Sequence, residues 1–140
     1  MTVQTTTHLN FRGTARAALE HYHSVFGGDL FVATHAEAYP EPGVGEADLV
    51  AFGQVTSPTG FRVMAFDVPS ARAWERGQDS FWVSVRGDDA DELTRSFEGL
   101  AQGGTVLVPL GPSGWSPLYG LVVDAYGVTW VVDQEVAYQG

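Results

Sequence analysis

From Thr6 to Arg12 the side chains alternate. Leu9 and Phe11 fall on one face, and His8, Asn10 and Arg12 on the other, the pattern of a half-buried strand. The period then lengthens. Ala15, Ala18, Leu19, Tyr22, Val25 and Phe26 recur at helical spacing, which predicts an amphipathic helix with one buried stripe. Thr14 stands at its N-cap position, and Gly27-Gly28 ends it. Leu30 to His35 reads as a second strand. Glu37 to Ala47 holds Pro40, Pro42, Gly43 and Gly45 and reads as a loop. Leu49–Thr56 and Phe61–Val68 read as a hairpin turning at Ser57-Pro58-Thr59-Gly60. The polar, mixed stretch from Pro69 to Asp79 reads as a connector.

The same order of periods then returns. Ser80–Arg86 reads as a fifth strand. Asp88 or Asp89 caps a second helix with Ala90, Leu93, Phe97, Leu100 and Ala101 at helical spacing, and Gly103-Gly104 closes it. Val106–Leu110, Leu118–Asp124 and Val128–Asp133 read as strands. Between them lie a turn-rich loop carrying Trp115 and the turn Ala125-Tyr126-Gly127. Strand, Arg-Gly, helix, Gly-Gly, strand therefore occurs twice, which indicates two copies of one β-α-β-β-β unit rather than a solenoid. The helix-bearing link suits a crossover connection, and the short links suit antiparallel hairpins.

Composition narrows the partners. The 140 residues suit a single domain, and 44% hydrophobic and 12% aromatic content are globular values. There is no cysteine, so disulfides, thiolate catalysis and Cys-bound metals are excluded. Seventeen acidic and seven basic side chains give a net charge of −10. That field repels phosphate backbones and anionic membranes, so neither nucleic acid nor membrane is an expected partner. No apolar run has the length of a membrane helix, and no secretory signal opens the chain, so the expected location is cytoplasmic.

The pattern His8-Leu9-Asn10-Phe11-x-Gly13-x-Ala15-x-x-Ala18-Leu19-x-x-Tyr22-x-x-Val25-Phe26-Gly27-Gly28 resembles the opening of the PhnB-like branch of the vicinal oxygen chelate superfamily. This superfamily includes glyoxalase I, fosfomycin- and bleomycin-resistance proteins and extradiol dioxygenases. Trp115-x-x-x-x-Gly120-x-x-x-Asp124-x-x-Gly127-Val128-x-Trp130 is similar to the end of the same branch. The resemblance implies an α+β fold: two βαβββ modules, about 1–73 and 74–140, forming a curved, incompletely closed mixed β-barrel with helices outside. It also implies a small-molecule cavity inside the curve and a homodimer.

Enzymes of that superfamily hold a divalent metal with His and Glu side chains from the first and last strands of the modules. His8 stands where the first such ligand belongs. Ser80 is taken as its counterpart in the second half, and Val131 stands where a carboxylate belongs, four residues after Gly127. Asp67 is the one other candidate. A divalent site needs about three protein ligands, so no metal and no cofactor is expected. His21 and His23 read as solvated helix residues, and His35 as a cavity-rim group.

If the fifth strand alternates as the first does, Ser80, Trp82 and Ser84 face the cavity while Phe81, Val83 and Val85 pack on the helix. The expected ligand-binding residues are then His8, Asn10, Asp67, Trp82, Ser84, Trp115, Tyr119 and Thr129. The aromatic members offer a flat wall for a planar or cationic ligand. Glu37, Glu41 and Glu46, if folded over the mouth, favour a cation. Two readings stay open: a ligand-binding protein with a degenerate metal site, or a lyase, isomerase or transferase using His8 as general base or metal ligand.

Overall fold

Period-two and period-3.6 segments become strands and helices close to where the pattern places them. The computed structural model of the chain describes residues 3–39 and 46–136. It divides into two compact units, Met1–Arg76 and Gly77–Gly140. The first contains β1 (Thr7–Phe11), α1 (Ala15–Phe26), β2 (Asp29–Thr34), α2 (His35–Ala38), β3 (Val50–Thr56) and β4 (Arg62–Asp67). Its sheet has the order β1-β4-β3-β2. β1 runs parallel to β4, and the other neighbours are antiparallel. The second unit contains β5 (Val83–Gly87), α3 (Ala90–Ala101), β6 (Thr105–Gly111), β7 (Tyr119–Val123) and β8 (Thr129–Gln134), in the order β5-β8-β7-β6. It repeats the topology, with β5 parallel to β8. The architecture is α+β, with two four-stranded mixed sheets, neither closed on itself.

Each sheet buries one face under its helix. Ala15, Ala18, Leu19 and Tyr22 of α1 are buried, as are Leu93, Phe97 and Leu100 of α3. Val25 and Phe26 of the predicted stripe are half-buried, and Phe26 stacks on Phe61 with ring centres 3.9 Å apart. A glycine in the third strand of each sheet lets the helix approach. A Cβ on Gly53 would overlap Cδ1 of Leu19, and one on Gly120 would meet the Phe97 ring at 2.8 Å.

The duplicated Gly-Gly pairs have a shared division of labour. Gly27 and Gly103 adopt φ of 73° and 72°, the left-handed region that side chains disfavour. Gly28 and Gly104 lie so close to the third strand that a Cβ would overlap the carbonyl oxygens of Thr56 and Val123. The helix ends are thus alike, but their beginnings differ. Asp89 caps α3 conventionally, accepting N–H bonds from Asp91 and Glu92. Thr14 makes no side-chain cap bond to α1, contrary to expectation. Asp67, at the end of β4, replaces it by accepting the N–H groups of Gly13 at 2.6 Å and Ala15 at 3.1 Å.

Two further segments depart from the sequence pattern. The second strand stops at Thr34, and His35–Ala38 forms a short helix closed by a capping box between Thr34 and Glu37. The fifth strand begins at Val83, so Ser80, Phe81 and Trp82 lie outside the sheet. No helix among the described residues is long and apolar enough to cross a membrane.

Candidate functional site

The register across each sheet decides which side chains are free to meet a ligand. In the first unit Leu9, Ala65, Gly53 and Val32 are consecutive cross-strand partners. Gly53 lies beneath Leu19 of α1, so this row faces the helix. The adjacent row, His8-Met64-Gln54-Phe31, points the other way. Asn10, Phe66 and Phe52 belong to that same uncovered face by alternation.

This face carries apolar side chains and two polar pairs, His8–Asn10 and Gln54–Thr56. Nδ1 of His8 lies 2.9 Å from Oδ1 of Asn10. The His8 ring sits edge-on to Phe66, with centroids 5.2 Å apart. Phe31 and Phe52 are exposed, their rings 5.8 Å apart. The amide of Gln54 donates to the Thr56 hydroxyl at 2.9 Å. Expectation thus holds for where His8 and Asn10 project: they leave one strand on one face.

Asp67 does not join them. It pairs with Phe11 and lies on the helix side, only 1% exposed. Oδ1 is occupied by Gly13 and Ala15, and Oδ2 accepts the Val50 N–H at 2.9 Å. The expectation that Asp67 orients a ligand beside His8 is therefore overturned. A buried carboxylate satisfied by three backbone donors is a structural anchor.

In the second unit the uncovered face carries the row Ser84-Val131-Leu121-Val108 and, beyond it, Arg86-Asp133-Tyr119-Gly111. Arg86 donates through Nε to Asp133 at 2.9 Å. Trp115 is 63% exposed and stands edge-on to Tyr119 at 5.0 Å. Thr129 shares the alternation of Val131 and lies half-buried. Trp82 is displaced from its expected place in a strand; it is 45% exposed, and its indole N–H donates to Asp79 at 3.0 Å. Trp130 is fully buried and donates to Asp124 at 2.8 Å, so it belongs to the core. Counting back from the Arg-Gly pair of each half, the counterpart of His8 is Trp82, not Ser80.

The donor set does not fit a divalent metal. His8 has Met64 across from it, Ser84 is opposed by Val131, and Asp67, the carboxylate on the strand beside β1, faces away. Among the described residues no three His, Asp or Glu side chains converge, whereas such an ion requires about three.

The other expected groups are engaged locally. His35 is buried rather than on a rim; Nε2 lies 3.3 Å from the carbonyl of Asp67, and its ring packs on Tyr39. Nε2 of His23 reaches the Gly28 carbonyl at 2.9 Å. Glu37 closes the α2 cap, where hydrogen bonds from the Thr34 backbone and hydroxyl hold its carboxyl below the usual 4.5. Glu46 is held below that value by hydrogen bonds from the Ser70 side chain and backbone, with a backbone distance of 2.6 Å. Both carboxylates are thus committed to the protein rather than offered to a ligand, and Glu41 lies outside the described residues.

Sequence reasoning missed the role of Arg12. It donates to the carbonyls of Val68, Pro69 and Arg72 and lies 5.9 Å from the centre of the Trp74 ring. That guanidinium pins the start of the connector to β1. Its only sequence signal is the repeated Arg-Gly, which marks a position and not a partner.

Comparison with known proteins agrees with the topology. The family model described as Glyoxalase/Bleomycin resistance protein/Dioxygenase superfamily matches residues 7–132. Protein PA1353 from Pseudomonas aeruginosa is 32% identical, with a TM-score of 0.85, covering 96% of this chain and 98% of that one. A PhnB protein from Bacillus cereus is 27% identical, with a TM-score of 0.76 and coverage of 95% and 100%. A glyoxylase/bleomycin resistance protein/dioxygenase domain from Frankia sp. EAN1pec is 13% identical with a TM-score of 0.66, covers 97% and 99%, and shares the fold alone. No curated protein matches.

Proposed function

The chain belongs to the glyoxalase/bleomycin resistance protein/dioxygenase superfamily, and on that premise we propose that it binds a small organic molecule on the uncovered face of its first sheet. His8 and Asn10 are the polar anchors of this reading; Phe66, Phe52, Phe31 and Met64 form its apolar floor. The observation that carries it is the His8–Asn10 pair set edge-on to Phe66, on the sheet face that α1 does not cover. A mostly apolar surface with a few fixed polar groups is the usual form of a small-molecule site. The PhnB relative supports the assignment to that branch. A lyase, isomerase or transferase working through a metal at His8 is the weaker reading, because the flanking residues supply no further ligand.

Ser84, Thr129, Tyr119, Trp115 and Trp82 are proposed separately, as ligand-facing residues of the second unit by itself. The working state in this reading is a homodimer. Its support is the exposed run Val106, Leu107 and Val108 on β6, an edge strand of its own sheet, where unpaired apolar strands seek a partner.

The test is a mass-spectrometric search for small molecules that copurify with the native protein and are lost in His8→Ala and Phe66→Ala. Loss in both variants, with the fold intact, supports the reading. Equal retention in both sinks it. Sedimentation at micromolar concentration tests the dimer: a monomer at every concentration excludes it.

A further inference from the structure

An imidazole can present a lone pair or an N–H from the same ring nitrogen, and its neighbours decide which. The contact of His8 is to Oδ1 of Asn10, an amide oxygen, at 2.9 Å. An amide oxygen only accepts, so the bond requires the proton to sit on Nδ1 of His8. The neutral ring then carries its lone pair on Nε2. Among the described residues this is the one hydrogen bond the His8 ring makes. Its cross-strand neighbour is Met64, which has no proton to offer, and Phe66 contributes only a ring. His8 is exposed, so Nε2 receives no hydrogen bond from any described residue and stands open to a ligand.

We propose that Asn10 is a positioning residue that holds His8 as its Nδ1–H tautomer, so that the ligand class is a flat molecule carrying an O–H or N–H donor, such as a phenol or an azole. The proposal rests on the reading of this face as the ligand site. The aromatic floor selects the flat body, and Nε2 selects the donor. A net charge of −10 disfavours anions and leaves neutral or cationic members of the class.

The tautomer can be read without any ligand. Long-range proton–nitrogen correlation spectra of the native protein, at a pH where the ring is neutral, report which nitrogen of His8 carries the proton. The expected result is Nδ1–H in the native protein. Asn10→Leu should shift the ring to the Nε2–H form that histidine favours in water, and Asn10→Asp, which keeps an acceptor, should restore Nδ1–H. An Nε2–H tautomer in the native protein, or no change in Asn10→Leu, overturns the positioning role.

Phenol and anisole then test the ligand class, since they differ in the single O–H. Titration followed by the amide signals of β1 and β4 should show phenol binding about fivefold more tightly than anisole. The ratio should fall to about one in Asn10→Leu, where Nε2 becomes a donor. Equal affinity in the native protein overturns the donor requirement while leaving the site standing. If neither probe moves those signals, the face itself is not a ligand site, and the proposed function fails with the ligand class.

Discussion

The carboxylate of Asp67 accepts the backbone N–H of Gly13 at 2.6 Å, across 54 positions of sequence. One side chain thereby joins the end of β4 to the start of α1, and through Val50 to the start of β3. Free N–H groups at a helix N-terminus need acceptors, and the helix dipole favours a negative one. Asp67→Ala leaves three backbone donors without that acceptor, those of Ala15 and Val50 buried, and should cost about 3 kcal/mol or more. Asp89→Ala, at the more exposed cap of α3, should cost about 1 kcal/mol. Urea unfolding of both variants gives the comparison; equal losses would mean that Asp67 is not the anchor described.

The helix–sheet contact is equally specific. Leu93 of α3 is buried against the sheet, and Leu93→Ala should cost about 2–5 kcal/mol. Gly53→Ala pushes a methyl group into Leu19 and should cost about 1–3 kcal/mol. Combining it with Leu19→Ala relieves that overlap, so the double variant should be more stable than the sum of the two losses allows. Strict additivity in denaturant unfolding would contradict the contact.

Glu46 sets a pH dependence. Hydrogen bonds from Ser70 depress its folded-state pKa below 4.5. A depressed carboxylate contributes stability that is fully present above its unfolded value and is lost as pH falls through the folded one. Wild type should therefore exceed Glu46→Gln in stability at about pH 7, and the difference should shrink as pH falls below the unfolded value and vanish once the carboxyl is protonated in the folded state too. An advantage that persists undiminished in acid would rule out the ionised carboxylate as its source.

The Gly-Gly pairs predict matched sensitivity in the two halves. Gly28→Ala and Gly104→Ala each place a Cβ against the backbone of the third strand. Backbone cannot yield as a flexible side chain can, so each variant should lose about 2 kcal/mol or more by thermal unfolding. A large loss in one and none in the other would break the equivalence of the two modules.

His8 and Asn10 were legible because strand alternation alone puts i and i+2 on one face. Trp82 was not, because three residues of apparent alternation before Val83 carry no sign that the sheet begins only there. His35 reads as a rim residue in sequence and is buried in fact, since the Thr34–Glu37 capping box turns the chain into a short helix. The capping box is itself a sequence signature, Thr-x-x-Glu, at the edge of a stretch whose prolines and glycines read as a loop.

By itself the sequence determined the periods, the glycine helix ends and the duplication. Those signals are local: they depend on side-chain spacing within a turn or a pleat and on glycines that no other residue can replace. Only the tertiary structure decided which carboxylate caps which helix, which row of the sheet α1 covers, and that Arg12 closes on Trp74. These depend on strand register between segments more than 50 residues apart. A shift of one residue in that register would exchange the two faces of the sheet, turning Asp67 toward His8 and making a different site from the same side chains.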